Sequence, residues 1–491
     1  MQSLNAYNNL IDHFKQTIAL SQISGLLSWD QETMMPKDGG AARAEQVASL
    51  ASVVHSRNID PNIAEWCAKI DLPSLSDEHN ANVREALRTH QRAVKIPAKL
   101  AEELARSAAL GQGIWVKARK DEDVSAFLPA LENIVCLKRE EAKCLKIDGS
   151  SLYDGLLDEY EPGMASVELK RMFDQLRPRL TALREEIMAE PRQVKQLNRK
   201  FNENKQMELA HSLAQVFNYN LDAGRMDKSV HPFSSGYRSD SRITTRVDAV
   251  NPFDCIYSTV HEIGHANYEQ GRVPEMDLTL AGGYASMGIH ESQSRMLENQ
   301  IGRSRAFMEW LYPMMLQIFG DFGLSSPDEL YSLVNQVATG YIRTEADEIH
   351  YNLHVLLRFD LEQALFEGNL QVQELESAWN DRFLADFGID VDRPSNGLLQ
   401  DVHWSFGAFG YFPTYTLGNI YAGELYQLMG QQISNMDELI SKGELGSISD
   451  WLSNNIHRHG NVYEAPQLME KVCGRKPEMN ALVDYLQAKF C

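Results

Sequence analysis

Apolar residues recur at helical spacing along most of the chain. Near the N-terminus the apolar positions that share one helical face are Leu4, Tyr7, Leu10, Ile11, Phe14 and Ile18. A longer apolar stripe runs from Ala346 to Ala364 and stops at Gly368, and glycine commonly follows the last turn of a helix. The same pattern predicts helices at about 41–55, 98–120, 129–146, 166–190, 205–219, 290–301 and 372–387, with four shorter helices after residue 415. The sequence therefore predicts a mainly α fold.

The helical pattern breaks in a few places. Residues 240–247 alternate and are rich in β-branched side chains, which predicts a strand. The Gly-rich residues 278–289 are also strand-like, and the two segments together predict a small β-sheet beside the helix that lies between them. Three loops are predicted: at 29–36, after Pro191, and in the aromatic and Gly-rich segment 392–415. The first of them is either a simple connection or a lid.

Composition narrows the class of protein. The 491 residues show no repeat, low-complexity tract or evident linker, which predicts one domain spanning 1–491, with about 1–100 as a helical N-terminal part and a candidate lid. A net charge of −21 argues against nucleic acid or an anionic membrane as partner. Neither a signal peptide nor a transmembrane helix is expected. The six cysteines lack paired spacing, which predicts reduced thiols in a cytosolic protein.

The candidate chemistry centres on the pentad His261-Glu262-Ile263-Gly264-His265. Histidines at i and i+4 lie on one helical face, so both imidazoles can bind one Zn²⁺. Glu262 is rotated by about 100° from His261, which suits a group that deprotonates water rather than one that binds the metal. The pentad predicts a catalytic zinc helix, and about 231–301 are expected to form the metal-site core.

A catalytic zinc usually has three protein ligands, and the third must come from another element. Tyr268 and Gly271 occupy the positions that a metzincin gives to glycine and histidine, which excludes that class. Glu269 lies about 12 Å along the helix axis from His261, too far to share an ion with both histidines. Glu291 is the preferred candidate and Glu298 is the alternative, and the spacing alone leaves both open.

Several further motifs support a family resemblance that covers nearly the whole chain. Besides the pentad, these motifs are Trp29-Asp30-Gln31-Glu32-Thr33, His231-Pro232-Phe233, Asp240-Ser241-Arg242-Ile243-Thr244, His290-Glu291-Ser292-Gln293, Ile342-Arg343-Thr344-Glu345-Ala346-Asp347 and Gly397-Leu398-Leu399-Gln400-Asp401-Val402-His403-Trp404. With these motifs in this order, the sequence resembles the carboxypeptidase Taq family of metallocarboxypeptidases.

The resemblance implies a fold and an activity. Such enzymes remove single residues from peptide C-termini, with broad specificity and with proline disfavoured. The implied fold is mainly helical, with a long substrate groove between two lobes. Members are typically cytoplasmic homodimers that use zinc, and cobalt often supports activity. The resemblance favours Glu291 as the third metal ligand. An oligopeptidase or a dipeptidyl carboxypeptidase on the same scaffold is the alternative activity.

The resemblance also directs the remaining role assignments. Glu262 is predicted to be the general base. His403, Tyr411 and Tyr415 are candidates for the donor that stabilises the oxyanion, with His403 and Tyr415 preferred.

An arginine is expected to bind the free carboxylate of the substrate. Arg343 is the first choice and Arg242 the second, while a salt bridge between Arg343 and Asp347 is the alternative interpretation of Arg343. His350 and His354 share a helical face and could form a second metal site or orient the first, whereas His457 and His459 are typical of a solvated helix end.

Overall fold

The computed structural model describes residues 2–190, 194–197 and 199–491. The N-terminal helices are α1 (Gln2–Thr33), α2 (Gly40–Asn58), α3 (Asn62–Lys69), α4 (Asp77–Lys95), α5 (Ala98–Asp121), α6 (Val124–Leu145), α7 (Leu152–Leu157), α8 (Ser166–Ala189) and α9 (Glu203–Val216). The loop predicted after Pro191 falls partly outside the described residues.

The remaining helices follow a small β-sheet. They are α10 (Pro252–Gln270), α11 (Met287–Arg295), α12 (Arg305–Phe319), α13 (Pro327–Val334), α14 (Glu348–Glu367), α15 (Leu375–Phe387), α16 (Pro413–Gln432), α17 (Met436–Lys442), α18 (Gly446–Asn455), α19 (Ala465–Cys473) and α20 (Asn480–Phe490). α11 continues directly into a π-helix, Met296–Ile301. The prediction of a mainly α fold with a small sheet is confirmed. Residues 413–491 form five helices instead of the four predicted, because α16 begins inside the segment expected to be irregular.

The sheet differs in part from its prediction. Its strands are β1 (Gly224–Lys228), β2 (Ser234–Tyr237) and β3 (Asp240–Thr245), in the order β1-β3-β2. β3 is the predicted strand, and it pairs parallel with β1 and antiparallel with β2. The predicted second strand at 278–289 is wrong, because backbone bonds such as Thr279 N–H to the Met276 carbonyl fold this segment into tight turns. The sheet does pack against α10, as expected.

The loop predicted at 29–36 is confined to 34–36, so its first part is wrong. α1 continues through Trp29 to Thr33, and the indole is only 4% exposed. The guanidinium carbons of Arg242 and Arg225 lie 4.4 and 4.9 Å from the indole ring centre, so a contact with the sheet buries this part of α1. Tertiary burial therefore outweighs the local polar composition that suggested a loop.

Two further predictions need correction at single residues. Pro129 does not open α6 but lies inside it, because Asp123 caps the helix by accepting the backbone N–H of Ala126. His457 is not solvated but 3% exposed, and its Nε2 is hydrogen-bonded to Gln293.

The apolar core extends from Ala118 in α5 to Phe490 in α20 as one continuous cluster. A second, smaller cluster joins α1, α3 and α4. Arg84 of α4 donates to the backbone carbonyls of Val462 and Asn461, which fastens the N-terminal helices to the C-terminal region. Among the residues that the structure describes, no helix combines the length and apolarity of a membrane span.

α5 contacts the segment that carries His403 through a glycine. A Cβ built on Gly111 would lie 2.3 Å from the carbonyl oxygen of Ser405, so only glycine permits this distance. Gly113, two residues further along α5, faces open space. The two glycines therefore form a matched pair in one helix.

We expect Gly111→Ala to destabilise the protein by about 1–3 kcal/mol, because the added methyl group must displace backbone. Gly113→Ala should stabilise it by about 0.5–1 kcal/mol, since alanine is the better helix former. Denaturant unfolding of both variants and the wild type measures the difference. Stabilisation by Gly111→Ala would contradict the observed packing.

Candidate active site

α10 carries the pentad and packs very closely on α11. Asn251 caps α10, and Pro252 occupies its first turn. A Cβ on Gly264 would lie 2.4 Å from the Cα of Ser294 in α11. Gly264, between the two histidines of the pentad, thus lets the backbones of the two helices approach each other.

The start of α11 is fixed by a buried segment that precedes α8. The carboxylate of Glu161, which is fully buried, accepts the backbone N–H of Gly288 at 3.0 Å. The backbone N–H of Met287 donates to the Tyr160 carbonyl at 2.9 Å. A carboxylate at the start of a helix also interacts favourably with the helix dipole. These bonds set the position of α11 and hence of Glu291.

His261, His265 and Glu291 converge. Their ligand atoms all lie within 4.8 Å of one another. Oε2 of Glu291 is 3.8 Å from Nε2 of His261 and 3.5 Å from Nε2 of His265. Ligand atoms around a tetrahedral zinc with bonds of about 2.1 Å are about 3.4 Å apart. Two histidines and one glutamate are a donor set of catalytic zinc sites, so these residues fit a metal.

The outer nitrogen of each histidine has a hydrogen-bond partner that fixes the tautomer. Nδ1 of His261 donates to Oε2 of Glu298 at 2.9 Å. Nε2 of His290 lies 3.0 Å from the Glu269 carboxylate, which can only accept, and Nδ1 of His290 lies 2.6 Å from Nδ1 of His265. With Nε2 of His290 donating to Glu269, Nδ1 of His290 accepts a hydrogen bond from the Nδ1–H of His265. Both pentad histidines keep an Nε2 lone pair directed towards Glu291.

These contacts distinguish the carboxylates that sequence spacing left open. Glu298 contacts the Nδ1 side of His261, away from Glu291, so its geometry suits an orienting role. Glu269 contacts His290 and lies outside the convergent group, as the helix rise predicted. Within the described residues, His261, His265 and Glu291 are the one group of three or more such side chains placed to hold a metal.

The electrostatics of the site follow from burial. Burial raises the pKa of Glu262 to about 7, and the carboxylates of Glu291 and Glu298 add to this effect. Arg295 donates to Glu291 at 2.7 Å and to Glu298 at 3.2 Å. Although burial opposes ionisation of Glu298, Arg295 and His261 hold its pKa well below the ordinary value. Glu291 and Glu298 thus share Arg295, and Glu298 has a second counter-ion in Arg303 at 3.2 Å.

Arg343 belongs to a buried ion pair. Its Nη2 lies 2.9 Å from Oδ1 of Asp401, and its Nη1 donates to the Tyr351 hydroxyl at 3.1 Å. Arg343 is 4% exposed, and Arg358 binds the other oxygen of Asp401. The alternative pairing with Asp347 is wrong, because Asp347 caps α14 and binds His350 at 2.7 Å.

The candidate oxyanion donors form an aromatic cluster. We define the aromatic loop as residues 397–412, which lie between α15 and α16 and include the short 3-10 helix His403–Phe406. The ring of His403 stacks on Tyr411 with centres 5.5 Å apart, and Tyr411 contacts Tyr415 edge-on at 5.3 Å. Burial lowers the pKa of His403 to about 4. Burial raises the pKa of Tyr411 to about 12, and the charge of Glu291 contributes.

Tyr351 links Arg343 to the metal-ligand candidates. The guanidinium of Arg295, which binds Glu291, lies 4.0 Å from the centre of the Tyr351 ring. Arg343 donates to the hydroxyl of the same tyrosine. Arg242 lies elsewhere, with its Nε 2.7 Å from Asp240 and its guanidinium on Trp29. The structure thus brings Arg343, but not Arg242, to the aromatic cluster.

Several polar residues around the site were given no role by the sequence analysis. They are Glu161, His290, Arg295, Arg358 and Asp401, and all but Arg295, which binds Glu291 four residues away, have partners far away along the chain. His350 and His354 are fully buried, burial lowers the pKa of His354, and the nearby charges of Arg358 and Arg343 lower it further. Only the position of Asp401 and His290 inside family motifs marked them in advance.

Comparison with known proteins supports the family resemblance. Residues 9–490 match the family described as carboxypeptidase Taq (M32) metallopeptidase. Thermostable carboxypeptidase 1 of Thermus thermophilus is 38% identical, over 99% of this chain and 98% of that protein. Thermostable carboxypeptidase 1 of Pyrococcus furiosus is 33% identical, over 98% of this chain and 97% of that protein. The structure of Trypanosoma cruzi metallocarboxypeptidase 1 superimposes with a TM-score of 0.97 at 31% identity, covering 99% of this chain and 100% of the other.

We expect Glu298→Gln to weaken zinc binding about 10- to 100-fold, because the His261 ring loses the carboxylate that orients it. Competition with a chromophoric chelator measures the affinity. Glu309→Gln, an exposed carboxylate on α12, is the matched control and should leave the affinity unchanged. Wild-type affinity in Glu298→Gln would contradict the orienting role.

Proposed function

The chain belongs to the carboxypeptidase Taq (M32) metallopeptidase family, and from this membership we propose that it is a zinc-dependent enzyme that releases single amino acids from peptide C-termini. Carboxypeptidase activity follows from the family and from relatives named as carboxypeptidases. One observation carries the finer proposal. The Nε2 lone pairs of His261 and His265 converge with the Glu291 carboxylate, and Glu262 is buried in the same helical turn.

His261, His265 and Glu291 would hold the metal. When bound there, zinc polarises a scissile carbonyl and lowers the pKa of a water molecule to about 7. Glu262 takes a proton from the attacking water and then gives it to the leaving amine, so that the amide bond is replaced by a carboxylate and an amine. Glu298 and His290 keep the histidine rings oriented during this cycle.

His403 and Tyr415 donate hydrogen bonds to the oxyanion of the tetrahedral intermediate, and Tyr411 is the third candidate. Burial keeps His403 neutral at pH 7, so that its ring can donate from one nitrogen. Burial also keeps the hydroxyls of Tyr411 and Tyr415 protonated, since the pKa of each is raised. Donors fixed in a dry site stabilise developing charge without reorganisation.

Arg343 is proposed to bind the free carboxylate of the substrate, with Arg242 as the second choice. Three of its five N–H groups are used by Asp401 and Tyr351 in the part of the chain that the structure describes, which leaves two for a ligand. Asp401 fixes the orientation of the guanidinium plane. The link through Tyr351 to Arg295 favours Arg343 over Arg242, a β3 residue whose guanidinium stacks on Trp29 of α1.

The family resemblance supports four further proposals. These are broad specificity with proline disfavoured, cobalt as a substitute metal, a cytoplasmic homodimer, and a groove between two lobes with residues 1–100 as lid. Light scattering tests the dimer, and a solution mass near 55.6 kDa would contradict it. Rates on peptides that differ only in the last residue test the specificity.

We expect peptide digests followed by mass spectrometry to show stepwise loss of one residue, only from free C-termini and only with zinc or cobalt. Loss of dipeptides or internal cuts would instead indicate a dipeptidyl carboxypeptidase or an oligopeptidase. Glu262→Gln is the control, and it should bind zinc normally while kcat falls about 10²- to 10⁴-fold, the contribution of a general base. If the wild type bound zinc but hydrolysed no peptide, the site would be a non-catalytic metal site and the proposed function would be wrong.

We expect Arg343→Lys to reduce kcat/KM about 10²-fold on peptides with a free C-terminus, because lysine cannot bind a carboxylate with two parallel bonds. Lysine keeps a positive charge beside the buried Asp401, which limits loss of stability. Arg242→Lys is the comparison and should change kcat/KM less than threefold. The ratio of rates on free and amidated peptides must fall for Arg343→Lys. An unchanged ratio would remove Arg343 from carboxylate binding.

A further inference from the structure

α14 contains a buried carboxylate that the proposed mechanism does not use. Glu362 is 0% exposed. Its Oε1 accepts the indole N–H of Trp404 at 2.6 Å, and its Oε2 accepts the backbone N–H of Gly410 at 3.0 Å and the hydroxyl of Tyr153 at 2.6 Å. Three donors at these distances satisfy the carboxylate in the interior.

Two of the three donors belong to the aromatic loop. Trp404 directly follows His403, and Gly410 directly precedes Tyr411. Gly410 has a φ of +88°, and a Cβ at this residue would lie 2.9 Å from the backbone of Leu156 and Leu157. The loop backbone therefore passes close to α7, in a conformation that glycine adopts readily, and Glu362 holds it there.

A second, partly buried carboxylate fixes the same loop at Asp401. Asp401, two residues before His403, is bound by Arg343 and Arg358. His403 thus lies between two anchors, one at Asp401 and one at Trp404. Because a short loop fixed at both points has few alternative conformations, the direction of the His403 ring is set by these buried bonds.

We propose that Glu362 is a positioning residue, which holds His403 and Tyr411 in the geometry needed for catalysis by fixing the aromatic loop at Trp404 and Gly410. This inference rests on the proposed function, because it assumes that the aromatic loop donates to the oxyanion. Displacement of a catalytic group by about 1 Å can cost about 10²-fold in rate.

An amide cannot replace this carboxylate. Glutamine has one accepting oxygen and one NH2 group, and the NH2 group meets a loop N–H in either orientation of the amide. If its oxygen faces Trp404, the NH2 group faces the Gly410 N–H, and in the opposite orientation it faces the indole N–H. Glu362→Gln therefore breaks at least one loop contact without a change in volume.

Tyr153→Phe provides the matched control. It removes the third donor to the same carboxylate, but Tyr153 lies on α7 and not on the aromatic loop. Each variant removes a hydrogen bond from the same buried cluster, so a merely structural Glu362 would affect the stability of both variants and give both the same kcat. If Glu362 positions the loop, kcat falls in Glu362→Gln and not in Tyr153→Phe.

The experiment measures kcat, KM, zinc affinity and thermal stability of zinc-loaded wild type, Glu362→Gln, Tyr153→Phe and the reference variants His403→Ala and Tyr415→Phe. We expect Glu362→Gln to lower kcat 10- to 100-fold, with KM within threefold and zinc affinity unchanged. Tyr153→Phe should keep kcat within twofold. In ¹⁵N spectra the Trp404 indole resonance should shift in Glu362→Gln more than in Tyr153→Phe.

Each outcome decides the inference. A kcat for Glu362→Gln within twofold of wild type, or equal losses in both variants, overturns it. If Glu362→Gln does not fold, Trp404→Phe removes one loop bond alone, and an unchanged kcat there overturns it as well. If His403→Ala and Tyr415→Phe both keep wild-type kcat, the oxyanion roles in the proposed function fail instead. Loss of kcat in those two but not in Glu362→Gln contradicts the positioning role alone.

Discussion

Close packing of α10 against α11 is the constraint on which the site depends. The two ligand candidates on α10 can share an ion with Glu291 only because Gly264 brings the helices into backbone contact at Ser294. The same need appears one turn earlier on α11, where a Cβ on Gly418 of α16 would lie 2.8 Å from the Cβ of Glu291. Two glycines on two different helices therefore pack closely on α11, and this packing fixes the direction of Glu291.

Buried charges impose a second constraint, because each must have a partner in an environment without water. Around the pentad, Arg295 compensates two carboxylates, and near the aromatic loop Asp401 compensates two arginines. Removal of one member would leave the other uncompensated, so each network maintains its own geometry. Glu362, a buried carboxyl group that touches no ligand candidate, has hydrogen-bond donors as its partners in place of a counter-ion.

Much of the fold was predictable because the helical pattern depends on neighbours three and four residues apart. The ends of α5 and α14 agree with the prediction, since Pro97, Asp347 and Gly368 are local signals of helix start and stop. At Trp29 a distant contact decided the outcome, since two arginines of the sheet bury the indole. After residue 278 the failure is local, because backbone bonds over three residues fold the Gly-rich segment into turns that its composition does not distinguish from a strand.

By itself, the sequence determined the helix that carries His261, Glu262 and His265, because their spacing places them on adjacent parts of one helical surface. It also indicated the family, through motifs spread over the chain. Only the tertiary structure decided that Glu298 orients His261, that Arg343 pairs with Asp401 rather than Asp347, and that Glu362 holds the aromatic loop. The physical reason is distance along the chain. Helix periodicity relates near neighbours, whereas these contacts join residues from 37 to 58 positions apart, whose approach depends on how whole helices pack.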